Sequence, residues 1–195
     1  MKKLFHTRRK GFTLVELMIS VGIFALMTSF LLAKYGTFNQ SVLLTNLAYD
    51  IALSIRNAQS FGLNVRSVPG STENFDAAYG VHFDTTIPGA YVFFSDPEKD
   101  GVYDDINEIT TYTIKRGSVI SGLCVGSSAD DCSGSGGTQP ETLDITFKRP
   151  NPNAIIKMNE DDEEVFQYAE INLRATDGSM KKIVVRSTGQ IAIQN

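Results

Sequence analysis

An apolar segment of 22 residues near the N-terminus constrains this chain most. From Phe12 to Ala33 the one ionisable side chain is Glu16. As a helix with a rise of about 1.5 Å per residue, the segment would be about 33 Å long, enough to cross the hydrocarbon core of a bilayer. Five cations precede it, at Lys2, Lys3, Arg8, Arg9 and Lys10. Because cations collect on the cytoplasmic side of membrane helices, we expect a cytoplasmic N-terminus and an outside location for everything after Tyr35.

A plain anchor, a secretory signal peptide and a twin-arginine export signal are the simpler interpretations of this segment. A signal peptide has a shorter apolar region that ends in an A-x-A-like cleavage site, and none follows the apolar run here. The pair Arg8 and Arg9 is typical of a twin-arginine signal, but the missing cleavage site and the carboxylate of Glu16 argue against it.

Glu16 needs a cation, because an unpaired carboxylate in the membrane costs several kcal/mol. Cleavage of the Gly11–Phe12 bond would supply one, the new α-amino group of Phe12, four residues away on the same helical face. Between subunits packed side by side, the Phe12 amine of one chain and the Glu16 carboxylate of its neighbour would fix the axial register. The spacing therefore predicts an assembly salt bridge between Phe12 and Glu16.

The segment "KGFTLVELMISVGIFALM" (10–27) resembles the N-terminal signature of type IV prepilins and type II secretion pseudopilins. The resemblance implies that prepilin peptidase removes a basic leader, residues 1–11, by cutting after Gly11, and then methylates the amine of Phe12. It also implies that residues 12–34 serve first as a membrane anchor and later as the core of a filament. The implied partners are other pilin or pseudopilin subunits, prepilin peptidase, an inner-membrane assembly platform and membrane lipid.

Beyond the membrane the helical pattern continues over residues 35–66. Apolar residues recur every four positions, at Leu43, Leu47, Ile51 and Ile55. Polar residues fall away from this stripe, at Asn46, Asp50, Ser54 and Asn57. Such an amphipathic half predicts packing on a globular domain. The segment 47–65 also resembles the corresponding helix of minor pseudopilins of the H type.

From about residue 78 the pattern changes to short strands separated by turns. The candidate strands cover 78–83, 90–95, 108–115, 118–125, 142–149, 153–158, 166–174, 181–187 and 190–193. They are rich in β-branched and aromatic residues, with tight turns predicted at Asp177-Gly178 and Thr188-Gly189. The Gly- and Ser-rich stretch 127–140 predicts a flexible loop. We therefore expect an α+β protein in which a long N-terminal helix carries an antiparallel β head, residues 67–195.

An acidic stretch between two candidate strands is similar to a calcium-binding loop. Asp96, Glu98, Asp100 and Asp104 occupy its first, third, fifth and ninth places, with Gly101 at the sixth. The twelfth place holds Asn107, with Glu108 one residue late, and no helices flank the stretch. The residues predict a Ca²⁺ site, with a solvated acidic turn as the alternative.

Two other features of the head concern stability and surface charge. Cys124 and Cys132 lie eight positions apart, which predicts a small disulfide in an oxidising compartment. Five acids run from Glu160 to Glu164 and predict an exposed loop tip, with a second metal site or a basic partner as alternatives.

Enzymatic function and nucleic-acid binding find little support in the residues. His6 lies in the leader and His82 in a strand, so the two histidines do not form a catalytic pair. Without its leader the chain has a net charge of about −9, which is a poor match for nucleic acid in spite of Lys181, Lys182 and Arg186.

The sequence therefore predicts a non-enzymatic filament subunit, a minor pilin or pseudopilin of a type IV pilus or type II secretion pseudopilus. The alternative is a calcium-stabilised binding or adhesin module, displayed at a filament tip or on an uncleaved membrane anchor.

Overall fold

A computed structural model of the chain describes residues 11–64, 76–134, 136–159 and 165–194. They form two units, one that ends at Asn39 and one that begins at Gln40. The predicted amphipathic half of the helix thus lies almost entirely within the second unit, together with the β head. The run of five acids from Glu160 to Glu164 lies outside the described residues, as does the leader before Gly11.

The first element is helix α1, Leu14–Leu63, which has 50 residues. It begins after Thr13, whose hydroxyl accepts a hydrogen bond from the backbone N–H of Glu16 at 3.2 Å. This is the bond by which an N-cap residue satisfies a donor of the first turn. At the other end, Gly62 is buried and lies against the backbone of Phe147, so closely that a Cβ there would be 2.1 Å from the carbonyl oxygen.

Nine strands follow in the described residues, and they form two antiparallel sheets. The strands are β1 Ala78–Asp84, β2 Ala90–Asp96, β3 Glu108–Thr113, β4 Val119–Gly126, β5 Thr142–Phe147, β6 Ala154–Met158, β7 Tyr168–Arg174, β8 Met180–Arg186 and β9 Ile191–Gln194. The five-stranded sheet has the order β3-β2-β1-β5-β6, and the four-stranded sheet has the order β4-β7-β8-β9. The predicted α+β class and all nine predicted strands are confirmed.

The core of the second unit joins both sheets to one face of α1. The helix contributes Leu44, Ala48, Ile51, Ala52, Ile55 and Ala58 to this core, all of them buried. Phe61 at the end of α1 meets the rings of Tyr79 and Phe93 edge to face, with centroid distances of 5.7 and 5.6 Å. Of the predicted stripe, Ile51 and Ile55 are fully buried, whereas Leu43 and Leu47 are half-buried.

Ser54 corrects one detail of the predicted helix. The pattern placed it away from the apolar stripe, but it is buried with 6% of its surface exposed. Its hydroxyl pairs with the Tyr91 hydroxyl at 3.1 Å and donates to the carbonyl of Asp50 at 3.1 Å. A small polar residue is tolerated there because both of these bonds satisfy its hydroxyl.

The stretch predicted to be a flexible loop contains a short helix, α2, Ala129–Ser133. The Asp131 carboxylate accepts hydrogen bonds from the backbone N–H groups of Ser127 and Ser128, at 2.7 and 3.0 Å. Val125 and Thr138 then bond to each other through two backbone hydrogen bonds, at 2.9 and 3.0 Å. The Gly- and Ser-rich composition of residues 127–140 did not indicate these hydrogen bonds.

Candidate functional site

The N-terminal part of α1 is one candidate site, because it joins a hydrophobic surface to a single acid. Leu14–Leu32 is long and apolar enough to cross a membrane. The side chains of residues 11–32 are exposed or nearly so, with Phe12 and Phe24 more than 70% exposed. A surface this apolar needs lipid or other protein around it.

Glu16 lies in the first turn of α1, where the helix dipole favours a negative charge. Thr13 and Glu16 also follow the T-x-x-E spacing of a helix start. The sequence reasoning missed this role of Thr13, although the spacing was there to find it. Glu16 therefore lies three residues after the helix cap Thr13 and four residues after Phe12.

The N-terminal residues of the chain match a known protein-family motif. Residues 6–32 match the family described as the prokaryotic N-terminal methylation motif. The chain carries the type IV prepilin and pseudopilin leader signature. No curated protein and no solved structure matches the chain.

The prepilin signature has direct consequences for processing and location. It implies removal of the leader by prepilin peptidase and assembly with other pilin subunits. Together with the apolar helix Leu14–Leu32, the signature fits a membrane-anchored protein. It is also typical of structural proteins.

The second candidate site is the acidic loop, residues 96–108. Asp96, at the end of β2, is buried, and its two carboxylate oxygens accept hydrogen bonds from the backbone N–H groups of Lys99 and Gly101, at 2.6 and 2.9 Å. Burial raises the pKa of the Asp96 carboxyl, which these two bonds partly offset. The Asp96 carboxylate therefore fixes the first part of the loop, residues 96–101, through the loop's own N–H groups.

The remaining carboxylates predicted to bind calcium also have local roles or face solvent. Asp100 accepts from the N–H of Val102 at 3.0 Å, and Glu108 accepts from the hydroxyl of Thr111 at 2.5 Å. Glu98 and Asp104 are exposed. Among the described residues, no three His, Cys, Asp or Glu side chains are grouped to hold a metal ion.

Calcium binding by this loop stays a prediction, which melting of the protein with Ca²⁺ and with a chelator can test. A ligand that binds only the folded protein must raise its Tm. The same Tm in both conditions would count against the calcium site.

The acidic loop is tied to the five-stranded sheet by a buried pair that the sequence reasoning missed. His82 of β1 lies opposite Asp144 of β5, with 2.7 Å between Nδ1 and Oδ1. Asp144 is fully buried, and its second oxygen accepts from the backbone N–H of Tyr103 at 3.4 Å. The Tyr103 ring stacks on the His82 ring with centroids 4.4 Å apart.

Asp76 holds the same loop from its other side. Its carboxylate pairs with Lys99 of the loop and with Arg149, whose Nη2 lies 2.9 Å from Asp76 Oδ1. The hydrogen bond from Lys99, and then that from Arg149, hold the pKa of Asp76 below its usual value. Because the pKa of Asp76 is lowered in the folded protein, this exposed carboxylate supports the loop at neutral pH. The support is lost as the pH falls through the lowered pKa.

The predicted disulfide is present. Cys124 of β4 and Cys132 of α2 are bonded, with Cα atoms 5.9 Å apart. The bond links the C-terminal part of β4 to the short helix. Gly137 lies so close to it that a Cβ there would be 2.7 Å from the Cys124 sulfur. The link thus fixes a segment that has few buried residues of its own.

Replacing both cysteines with serine should lower the free energy of unfolding by about 2 to 3 kcal/mol, because the closed loop is short. Urea unfolding of the double variant measures this, and the reduced wild-type protein is the matched control. Equal stability of the oxidised and reduced wild-type proteins would show that the bond does not contribute.

Proposed function

We propose that this chain is a minor pilin or pseudopilin, a structural subunit that assembles through α1 after its leader is removed. The observation that carries the proposal is the position of Glu16, the one acid of the apolar segment, in the first turn of α1 and within the matched motif, residues 6–32. The α+β head and the exposed apolar helix support it. The resemblance of residues 47–65 to the H type supports a minor role.

In this mechanism the helix is a hydrophobic rod that exchanges lipid for other helices. Cleavage after Gly11 creates the Phe12 amine on the cytoplasmic side. The amine pairs with Glu16 of a neighbouring subunit, and both charges are neutralised before the rod leaves the membrane. The head stays outside the cytoplasmic membrane throughout and becomes part of a pilus or pseudopilus.

N-terminal mass spectrometry of the native protein tests the proposal directly. We expect a chain that starts at Phe12 and carries one added methyl group on its amine. A native chain that keeps Met1 to Gly11 and never enters a filament would contradict the proposed function.

Replacing Gly11 with alanine should block or strongly slow leader removal, because the peptidase must accommodate the residue before the cut. The intact mass of the membrane-extracted variant should include the leader. Gly22→Ala is the matched control, since a Cβ at Gly22 meets nothing within 4 Å and this position lies inside the helix. A mature mass in the Gly11→Ala variant would contradict the cleavage site.

A further inference from the structure

A cavity of about 650 Å³ opens between strands β1 to β3 and the acidic loop. Its wall includes His82 of β1, Val92 of β2, Thr111 of β3 and Tyr103 of the loop. A volume of this size is typical of sites that hold a small ligand or a large side chain. Neither the prepilin signature nor the proposed assembly of α1 uses this cavity.

The ionisable groups of the wall give the cavity one sign of charge. Four carboxyl groups belong to the wall, those of Asp84, Asp104, Asp105 and Glu108. The other ionisable groups of the wall are the His82 imidazole and tyrosine hydroxyls. No Lys or Arg belongs to the cavity wall in the described part of the chain. Burial, and then the carboxylates of Asp105 and Glu108, raise the pKa of the Tyr103 hydroxyl. The wall is therefore negative and rich in hydrogen-bond acceptors.

His82 provides independent evidence for a ligand that donates hydrogen bonds. Its side chain is 10% exposed, and its Nδ1 bonds to the buried carboxylate of Asp144. Because a carboxylate only accepts, Nδ1 carries the proton of this bond, and in the neutral form of the ring Nε2 accepts. Within the described residues Nε2 has no hydrogen-bond partner. The nearly buried His82 side chain, whose Nε2 is unpaired within the described residues, thus lines a cavity whose described wall contains no lysine or arginine.

We propose that this cavity binds a lysine or arginine side chain presented by a partner protein. The charged end would meet the carboxylates of Asp104 and Asp105 and the Nε2 atom of His82. The aliphatic stem would pack on apolar wall residues such as Ile87 and Val102. A metal ion is a poorer match, since the described residues group no three ligands for it. Charge complementarity of this kind selects partners and speeds their association.

The test follows the histidine signal of the full chain in detergent micelles. The chain has two histidines, so His6→Gln leaves His82 as the single ¹⁵N-histidine reporter. The probe is N-acetyl-arginine amide, and its uncharged isostere N-acetyl-citrulline amide is the matched control. We expect a saturable shift of the Nε2 signal with the arginine probe, which weakens as salt is added, and no saturable shift with the citrulline probe.

Variants that remove negative charge test whether the arginine probe binds in this cavity. Asp104→Asn with Asp105→Asn should weaken binding of the arginine probe by about tenfold, because both exposed carboxylates line the cavity. Asp130→Asn with Asp177→Asn removes the same charge from exposed positions outside the cavity and should leave binding unchanged. Thermal unfolding of both double variants checks that the fold is intact.

Three results would overturn the proposal. The first is an unchanged His82 signal at saturating arginine probe. The second is an equal shift with the citrulline probe. The third is a shift with micromolar zinc chloride and none with the arginine probe, which would make the cavity a metal site. All three are independent of leader cleavage and filament assembly, so the proposed function can stand or fall separately.

Discussion

Replacing Glu16 with alanine should leave leader removal intact and reduce incorporation into filaments by more than about a hundredfold. The variant chain keeps Gly11 and Phe12, so the peptidase still has its site. The Phe12 amine, however, would enter the helix bundle without a carboxylate partner. An uncompensated charge in apolar surroundings costs about 3 to 5 kcal/mol, which is a factor of more than about a hundred in an association equilibrium.

Thr13 offers a control that separates the charge of Glu16 from its place in the helix. The cap bond runs from the backbone N–H of residue 16 to the Thr13 hydroxyl, so an alanine at 16 keeps it. Thr13→Val removes the cap and keeps the carboxylate, at a cost of about 1 kcal/mol to the helix start. We expect only a severalfold loss of incorporation in that variant.

The measurement is the ratio of sheared filament protein to membrane-bound protein, with the N-terminal mass determined in both fractions. If the Glu16→Ala variant entered filaments at the level of the wild-type protein, the register mechanism would be contradicted. Equal losses in Glu16→Ala and Thr13→Val would instead assign the role of Glu16 to helix formation.

The elements of this fold could be predicted from local patterns. The long helix follows from an apolar run without proline that passes into an amphipathic stripe, and the nine strands follow from β-branched residues between turns. Both patterns depend on neighbours in sequence. Gly178 and Gly189, at the two predicted hairpin turns, indeed have left-handed φ angles of 85° and 83°.

The contacts that depend on distant residues could not be predicted in the same way. His82 and Asp144 are 62 positions apart and meet only because β5 pairs with β1, a pairing that skips three strands of the chain order. Ser54 is buried because Tyr91 from β2 reaches its hydroxyl. Spacing alone also does not show that the Asp96 carboxylate accepts from the backbone N–H groups of Lys99 and Gly101.

Replacing Gly62 with alanine should destabilise the head although alanine favours helices. In an exposed helix this change would stabilise the protein by about 1 kcal/mol. At Gly62 the new Cβ would lie 2.1 Å from the Phe147 carbonyl oxygen and 2.8 Å from its carbonyl carbon. Both atoms belong to the backbone of β5, whose neighbours β1 and β6 hold it in place, so the end of α1 must move away from the sheet.

We expect the steric cost to exceed the gain in helix propensity, with a net loss of about 2 to 3 kcal/mol in the free energy of unfolding. Urea unfolding of the full chain measures it, with Gly122→Ala as the matched control because a Cβ at Gly122 has nothing within 4 Å. The control should change stability by less than about 1 kcal/mol. A Gly62→Ala protein as stable as wild type would mean that the last turn of α1 is not packed against β5.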